Sequence, residues 1–159
     1  MIAEFELTVF YTQVVVYVSG ITPPDFEWTD EHVAQGFAWM PTIVSFGVPD
    51  HDGECLVQVD IVPQIQIDPD ALWAIRVPFD VPSVPITIGS IFDGQEINIP
   101  EGRYSLVFEA LARNFSERGN RAFVLRIKFS KESDPIFEIL RQGTELTTDR
   151  VLRKDLSHA

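Results

Sequence analysis

The chain has 159 residues, 45% of them hydrophobic, with twelve Phe and three Trp, which is enough for one domain with a sizeable core and excludes wholesale disorder. A net charge of −12 excludes a polyanion-binding basic surface, and a single cysteine excludes an internal disulfide. No run approaches the roughly 18 apolar residues of a membrane span, and MIAEFE lacks the basic start of a secretory signal, so a cytoplasmic protein is expected.

Residues 4–9 alternate, with Phe5, Leu7 and Val9 facing one way and Glu4, Glu6 and Thr8 the other, as in a half-buried strand. Residues 14–18 form an apolar run closed by Ser19-Gly20, as expected of a buried strand. The pattern then breaks. Thr22-Pro23-Pro24 stiffens the backbone. Trp28-Thr29-Asp30-Glu31 reads as a helix start, since Thr29 or Asp30 can cap free amides and the acids suit the positive helix end. Gly36 reads as a left-handed stop, giving a helix over about residues 29–36 in which Val33 and Phe37 share a face. Two turns do not persist alone, so this helix must lean on a larger body.

Residues 42–48 then read as a strand, Pro49-Asp50-His51-Asp52-Gly53 as a turn, and 54–61 as the returning partner of a hairpin. Residues 62–71, with Pro63 and Pro69, are expected to be a loop. In 76–81, Val77, Phe79 and Val81 point inward, while Pro78 has no ladder donor and predicts a sheet edge. Strands at 86–92 and 95–99 are expected to meet across an Asp93-Gly94 turn. Residues 103–111 and 121–129 are the clearest strands, the second with Phe123, Leu125, Ile127 and Phe129 inward and Arg126 and Lys128 outward. Asp134-Pro135 opens either a short helix or one more strand over 136–140. About eight short strands and one helix predict an all-β fold. The expected architecture is an antiparallel two-sheet β-sandwich over residues 1–142, with a weakly ordered tail at 143–159.

Charge is unevenly placed. Residues 1–100 hold fifteen Asp and Glu against one base, Arg76, whereas residues 101–159 hold nine acids and eleven bases. The first part projects a negative field that repels nucleic acid and speeds encounter with basic proteins; the plainer reading is solubility. Catalytic patterns are missing. His32, His51 and His158 have no metal-ligand spacing. Asp50 to Glu54 starts like a calcium loop, but its Gly comes too early and Ile61 occupies the last ligand position. No phosphate loop or nucleophile elbow occurs. No catalytic residue, metal or cofactor is therefore expected, and Cys55 reads as a small core hydrophobe.

The order TPPDFEWTDEHVAQGF followed by TIVSFGV resembles the competence protein J family, inhibitors of the DNA-entry nuclease of competent bacteria. The resemblance rests on Thr22, Pro23, Pro24, Trp28, Thr29, Asp30, Gly36, Phe37, Ser45 and Phe46, with a shorter similarity over Ile99-Pro100-Glu101-Gly102-Arg103-Tyr104. Glu101 and Arg103 stand where the family has a base and an acid, and the loop around 63–73 is longer. About thirty C-terminal residues fall outside the resemblance, which covers about two thirds of the chain. It implies a non-enzymatic inhibitor whose acidic surface fills the positive cleft of a nuclease, carboxylates standing in for phosphates.

The implied partner is a basic nuclease or another basic protein. Candidate partner-binding residues are Asp25, Glu27, Trp28, Asp30 and Glu31, in a stretch without Lys or Arg. Each has a plainer role to set beside this one. Trp28 reads as a core anchor, and Thr29 and Asp30 read as helix caps. Asp25 and Glu27 have the least structural explanation. Two further functions fit the residues: a ligand- or carbohydrate-binding sandwich using exposed Trp39 and Trp73, and an assembly protein forming a homodimer along the edge at 76–81.

Overall fold

The computed structural model describes residues 2–9, 13–20, 29–48, 53–90, 94–112, 123–142 and 151. In chain order its elements are β1 (Ala3–Val9), β2 (Gln13–Val18), α1 (Asp30–Gln35), β3 (Phe37–Met40), β4 (Ile43–Gly47), β5 (Gly53–Ile61) and β6 (Ala71–Val81). There follow β7 (Ile86–Gly89), β8 (Gly94–Ile97), β9 (Gly102–Ala112), β10 (Phe123–Lys131) and β11 (Glu138–Arg141). They form a six-stranded sheet, β1-β5-β10-β9-β6-β11, and a five-stranded sheet, β3-β4-β2-β7-β8. This is the two-sheet sandwich that the alternation predicts.

Period-two patterning explains the core. Val14 and Val16 of β2, Val77 and Phe79 of β6, Tyr104, Leu106 and Phe108 of β9, and Leu125, Ile127 and Phe129 of β10 are all fully buried. Each lies on the inward side of its strand, and together they make one continuous cluster. At its centre the rings of Phe46 in β4 and Phe108 in β9 stack with centroids 4.6 Å apart and planes 6° apart, joining the sheets. Cys55 is part of this cluster, and burial pushes its thiol up to about 12. It stays protonated at neutral pH and is a poor nucleophile.

Four expectations change, and a fifth, left open between helix and strand, is settled. First, residues 42–48 and 54–61 do not form a hairpin, because β4 belongs to the five-stranded sheet and β5 to the six-stranded one. The turn-rich cluster between them carries the chain from one sheet to the other, and His51 and its neighbours 49–52 lie outside the described residues. Second, not every pair is antiparallel: β5 runs parallel to β10, with Gln58 beside Arg126 and Asp60 beside Lys128. Third, Val33 and Phe37 do not share a helix face. Gly36 adopts φ 84°, a left-handed conformation that only glycine takes without strain, and turns the chain into β3. Phe37 is consequently buried as the first residue of a strand, while Val33 is 57% exposed. Fourth, Gly94 pairs with Gly89, so four residues rather than two connect β7 and β8, and Asp93 lies outside the described residues. Fifth, residues 138–141 resolve the open choice as a strand on β6.

The expected edge at Pro78 exists in part. β11 pairs with Ala74, Ile75 and Arg76, so among the described residues the second half of β6 has a strand neighbour, β9, on one side alone. Proline fits there because no partner asks for its missing N–H. The other sheet closes over this half: Trp39 Nε1 donates to Pro78 O at 2.6 Å and Asp80 N donates to Pro41 O at 2.9 Å. The edge proposed for a homodimer is thus occupied by the chain itself. Of the tail at 143–159 only Val151 is described, half-buried against the core.

Candidate interaction surface

Among the described residues the uneven charge of the sequence becomes a division between the two sheets. Arg76, Arg103, Arg126, Lys128, Lys131 and Arg141 all lie on strands of the six-stranded sheet. The five strands of the other sheet and α1 contain no Lys or Arg, whereas Asp30, Glu31 and Glu96 are exposed there. Residues 1–75 hold no base at all, so every connection within the stretch from β1 to β5 is also base-free.

α1 is built by local chemistry. The Thr29 hydroxyl accepts from His32 N at 3.4 Å, and Thr29 N donates back to His32 Nδ1 at 3.0 Å, so a histidine completes the capping box usually closed by Glu or Gln. This return bond requires an unprotonated Nδ1. His32 and Gln35 are both fully buried, and Gln35 Nε2 donates to Phe37 O at 3.0 Å, which ties the helix to the start of β3. Asp30 and Glu31 are left outward in the first turn, where the positive helix end favours carboxylates. Of the five candidate contact residues, Asp30 and Glu31 are thereby placed side by side on one exposed helix end. Asp25, Glu27 and Trp28 lie outside the described residues.

The opposite outer face is internally neutralised. The loop 62–70 runs back along β10: Ser130 Oγ donates to Pro63 O at 3.3 Å, Lys128 Nζ to Gln66 O at 2.6 Å, and Arg126 pairs with Asp68. Beneath it Glu109 is fully buried. Its Oε2 accepts from Asp68 N at 2.6 Å, and its Oε1 lies 2.5 Å from Lys128 Nζ. The latter contact is off-axis for a hydrogen bond, yet charge compensation at that separation does not depend on angle. Periodicity marked Lys128 only as outward; the burial of its partner Glu109 follows from a loop that alternation in β9 cannot reveal. A hint was present, since Val107 also points outward on β9 and is fully buried. A cleft of about 350 Å³ opens beside this network, lined by Gln58, Val59, Asp60, Arg126 and Lys128. Arg126 and Lys128 are already committed to Asp68 and Glu109, so they are not free to bind an anion.

Two carboxylates here report on pH. The Asp70 amide, at 2.8 Å, and then Arg126 hold the Asp68 carboxyl below its ordinary range. The Ser105 hydroxyl and then Arg76 do the same for Glu132. A lowered folded pKa adds stability above the unfolded value and loses it as pH falls through the folded one. We expect the urea midpoint to be flat from neutral pH to about 5 and to fall below about 4, the ordinary carboxylate range. An equal midpoint at pH 3 and pH 7 would show that these contacts do not favour the charged forms.

The residues of the carbohydrate-binding alternative are not available. Trp73 is 2% exposed within the core, and its Nε1 makes no hydrogen bond among the described residues. Trp39 is half-buried and bonded to Pro78. Among the described residues no group of three or more His, Cys, Asp and Glu is placed to hold a metal ion, and no helix is long and apolar enough to cross a membrane.

The family model of Competence protein J (ComJ) matches residues 6–130. The chain belongs to the ComJ family. In three dimensions it is similar to the crystal structure of ComJ, inhibitor of the DNA degrading activity of NucA, from Bacillus subtilis, with a TM-score of 0.68. The two sequences are 23% identical, and the match covers 82% of this chain and 96% of that one. No curated protein matches the chain in sequence. The ComJ match takes in β2 to β9, α1, most of β1 and nearly all of β10, and leaves out β11. Arg103, a departure from the expected motif, pairs across the strands with Asp80 at 3.2 Å.

Proposed function

We propose that this ComJ-family protein inhibits a DNA-degrading nuclease by covering its basic, DNA-binding surface. The observation that carries the reading is that, among the described residues, α1 and the five-stranded sheet hold no Lys or Arg, with Asp30 and Glu31 exposed on a capped helix end. Asp25, Glu27 and Trp28, immediately before that helix, complete the proposed contact. A surface that must bind polyanionic DNA carries excess positive charge, and rigid carboxylates can occupy it. The capping box and the closed β3 corner support preorganisation, which lowers the ordering cost of binding. Occlusion uses no catalytic residue, metal or cofactor of this chain, and the acidic face disfavours direct binding of nucleic acid. A buried, protonated Cys55 is in keeping with a cytoplasmic protein.

The test is titration of a candidate cognate DNA-degrading nuclease with the full chain, at low and high salt. Near-stoichiometric inhibition is expected at low salt, with association slowed strongly by added salt. Asp25→Asn/Glu27→Gln and Asp30→Asn/Glu31→Gln should each weaken inhibition, by about tenfold or more if two charge pairs are lost. Absence of inhibition by the folded protein would overturn the reading. So would inhibition indifferent to salt and to both variants.

A further inference from the structure

Residues 131–142, just past the end of the family match, lie back along the sandwich and touch the corner that carries α1. We propose that residues 132–142 are a latch that fixes this corner, with Phe137 as its positioning residue. The backbone holds the latch only lightly, since β11 pairs with β6 at three positions and shifts register between Ile139 and Arg141. Side chains do the rest. At the near end Arg76 bridges Glu132 at 2.7 Å and Glu138 at 3.9 Å. At the far end Arg141 Nη1 donates to Asp68 O, Pro69 O and Ala71 O at 3.0, 2.8 and 3.1 Å. Between these anchors Phe137 meets Trp39 edge-on, with centroids 4.7 Å apart, and stacks against Phe37 at 6.3 Å.

Both ring partners lie on β3, an edge strand whose single ladder neighbour is β4. Its other flank is held by Trp39 on Pro78, by Pro41 on Asp80 and by Phe137. α1 enters β3 directly through Gly36 and has six residues, too few to keep its own position. The placement of Asp30 and Glu31 is therefore transmitted through β3, and Phe137 is the ring that wedges β3 from the side of the six-stranded sheet. The effect on inhibition rests on the proposed nuclease reading; the effect on β3 and α1 does not.

Amide hydrogen exchange on the full chain tests this. In Phe137→Ala, amides of β3 and α1 should exchange about tenfold faster while β9 and β10 keep their protection, because the opening is local. Phe137→Tyr, which preserves the ring contacts, should restore parental exchange. Arg141→Ala, which releases the far anchor without touching the aromatic contact, should produce the same local pattern and serves if Phe137→Ala does not fold. Unchanged exchange in β3 and α1 would overturn the latch, as would equal acceleration throughout both sheets. In the nuclease titration apparent affinity falls only in proportion to the closed fraction, so a tenfold rise in a rare opening should leave inhibition nearly unchanged.

Discussion

Lys128→Met should destabilise the protein by about 3–5 kcal/mol, the usual effect of removing one partner from a buried ion pair. Glu109 is fully buried under the loop 62–70, and its compensation comes from two groups. Asp68 N satisfies Oε2 at 2.6 Å, and the Lys128 ammonium lies 2.5 Å from Oε1. Methionine keeps most of the lysine stem but leaves the carboxylate without its cation, and it also frees Gln66 O, to which Lys128 donates. The double variant Lys128→Met/Glu109→Gln removes both charges and retains an acceptor for Asp68 N, so it should recover most of the loss. Urea unfolding of the two single variants and the double gives the coupling directly. A Lys128→Met variant within about 1 kcal/mol of the parent would mean that water reaches Glu109, since only an exposed pair is worth so little.

Phe108→Ala should cost a similar amount, about 3–5 kcal/mol, for a different reason. Phe108 is fully buried and stacks on Phe46, so its ring is shared by both sheets. Truncation loses the transfer energy of a phenyl group and leaves a cavity that neither sheet can close without moving as a whole. The contrast is Val33→Ala on the exposed side of α1, where a change within about 0.5 kcal/mol is expected. A loss below about 2 kcal/mol at Phe108 would show that the two sheets can collapse toward each other. Both variants are read from the urea midpoint at constant slope.

The outward and inward residues of β9 and β10 were legible because alternation is a property of a single strand. α1 was legible for a similar reason: Thr29, the two acids and Gly36 act within one turn of one another. β3 was missed because four residues, FAWM, are too few to show a period, and a helix ending in Gly-Phe reads naturally as one apolar face. The hairpin expected at 49–53 failed at the next level. Pro, Asp and Gly mark a reversal, but nothing local says which sheet receives the strand that follows. The candidate surface divides along the same line. Asp30 and Glu31 could be named from the sequence as exposed acids at a helix start, whereas the closing of β6 by Trp39 and Pro41 depends on residues about forty positions apart.

What the sequence determined by itself was therefore local or cumulative: the inward face of each long strand, a capped helix over about residues 29–36, the absence of any base before Arg76, and the motif of the ComJ family. Only the tertiary structure decided which strands are neighbours, including the parallel pairing of β5 with β10. It also decided that Trp73 and Glu109 are interior, and that the described bases lie on one sheet while α1 and the strands of the other contain none. The physical reason is that a period specifies one buried face per strand, whereas pairing, burial of the second face and the separation of charge depend on which distant segments come to lie against it.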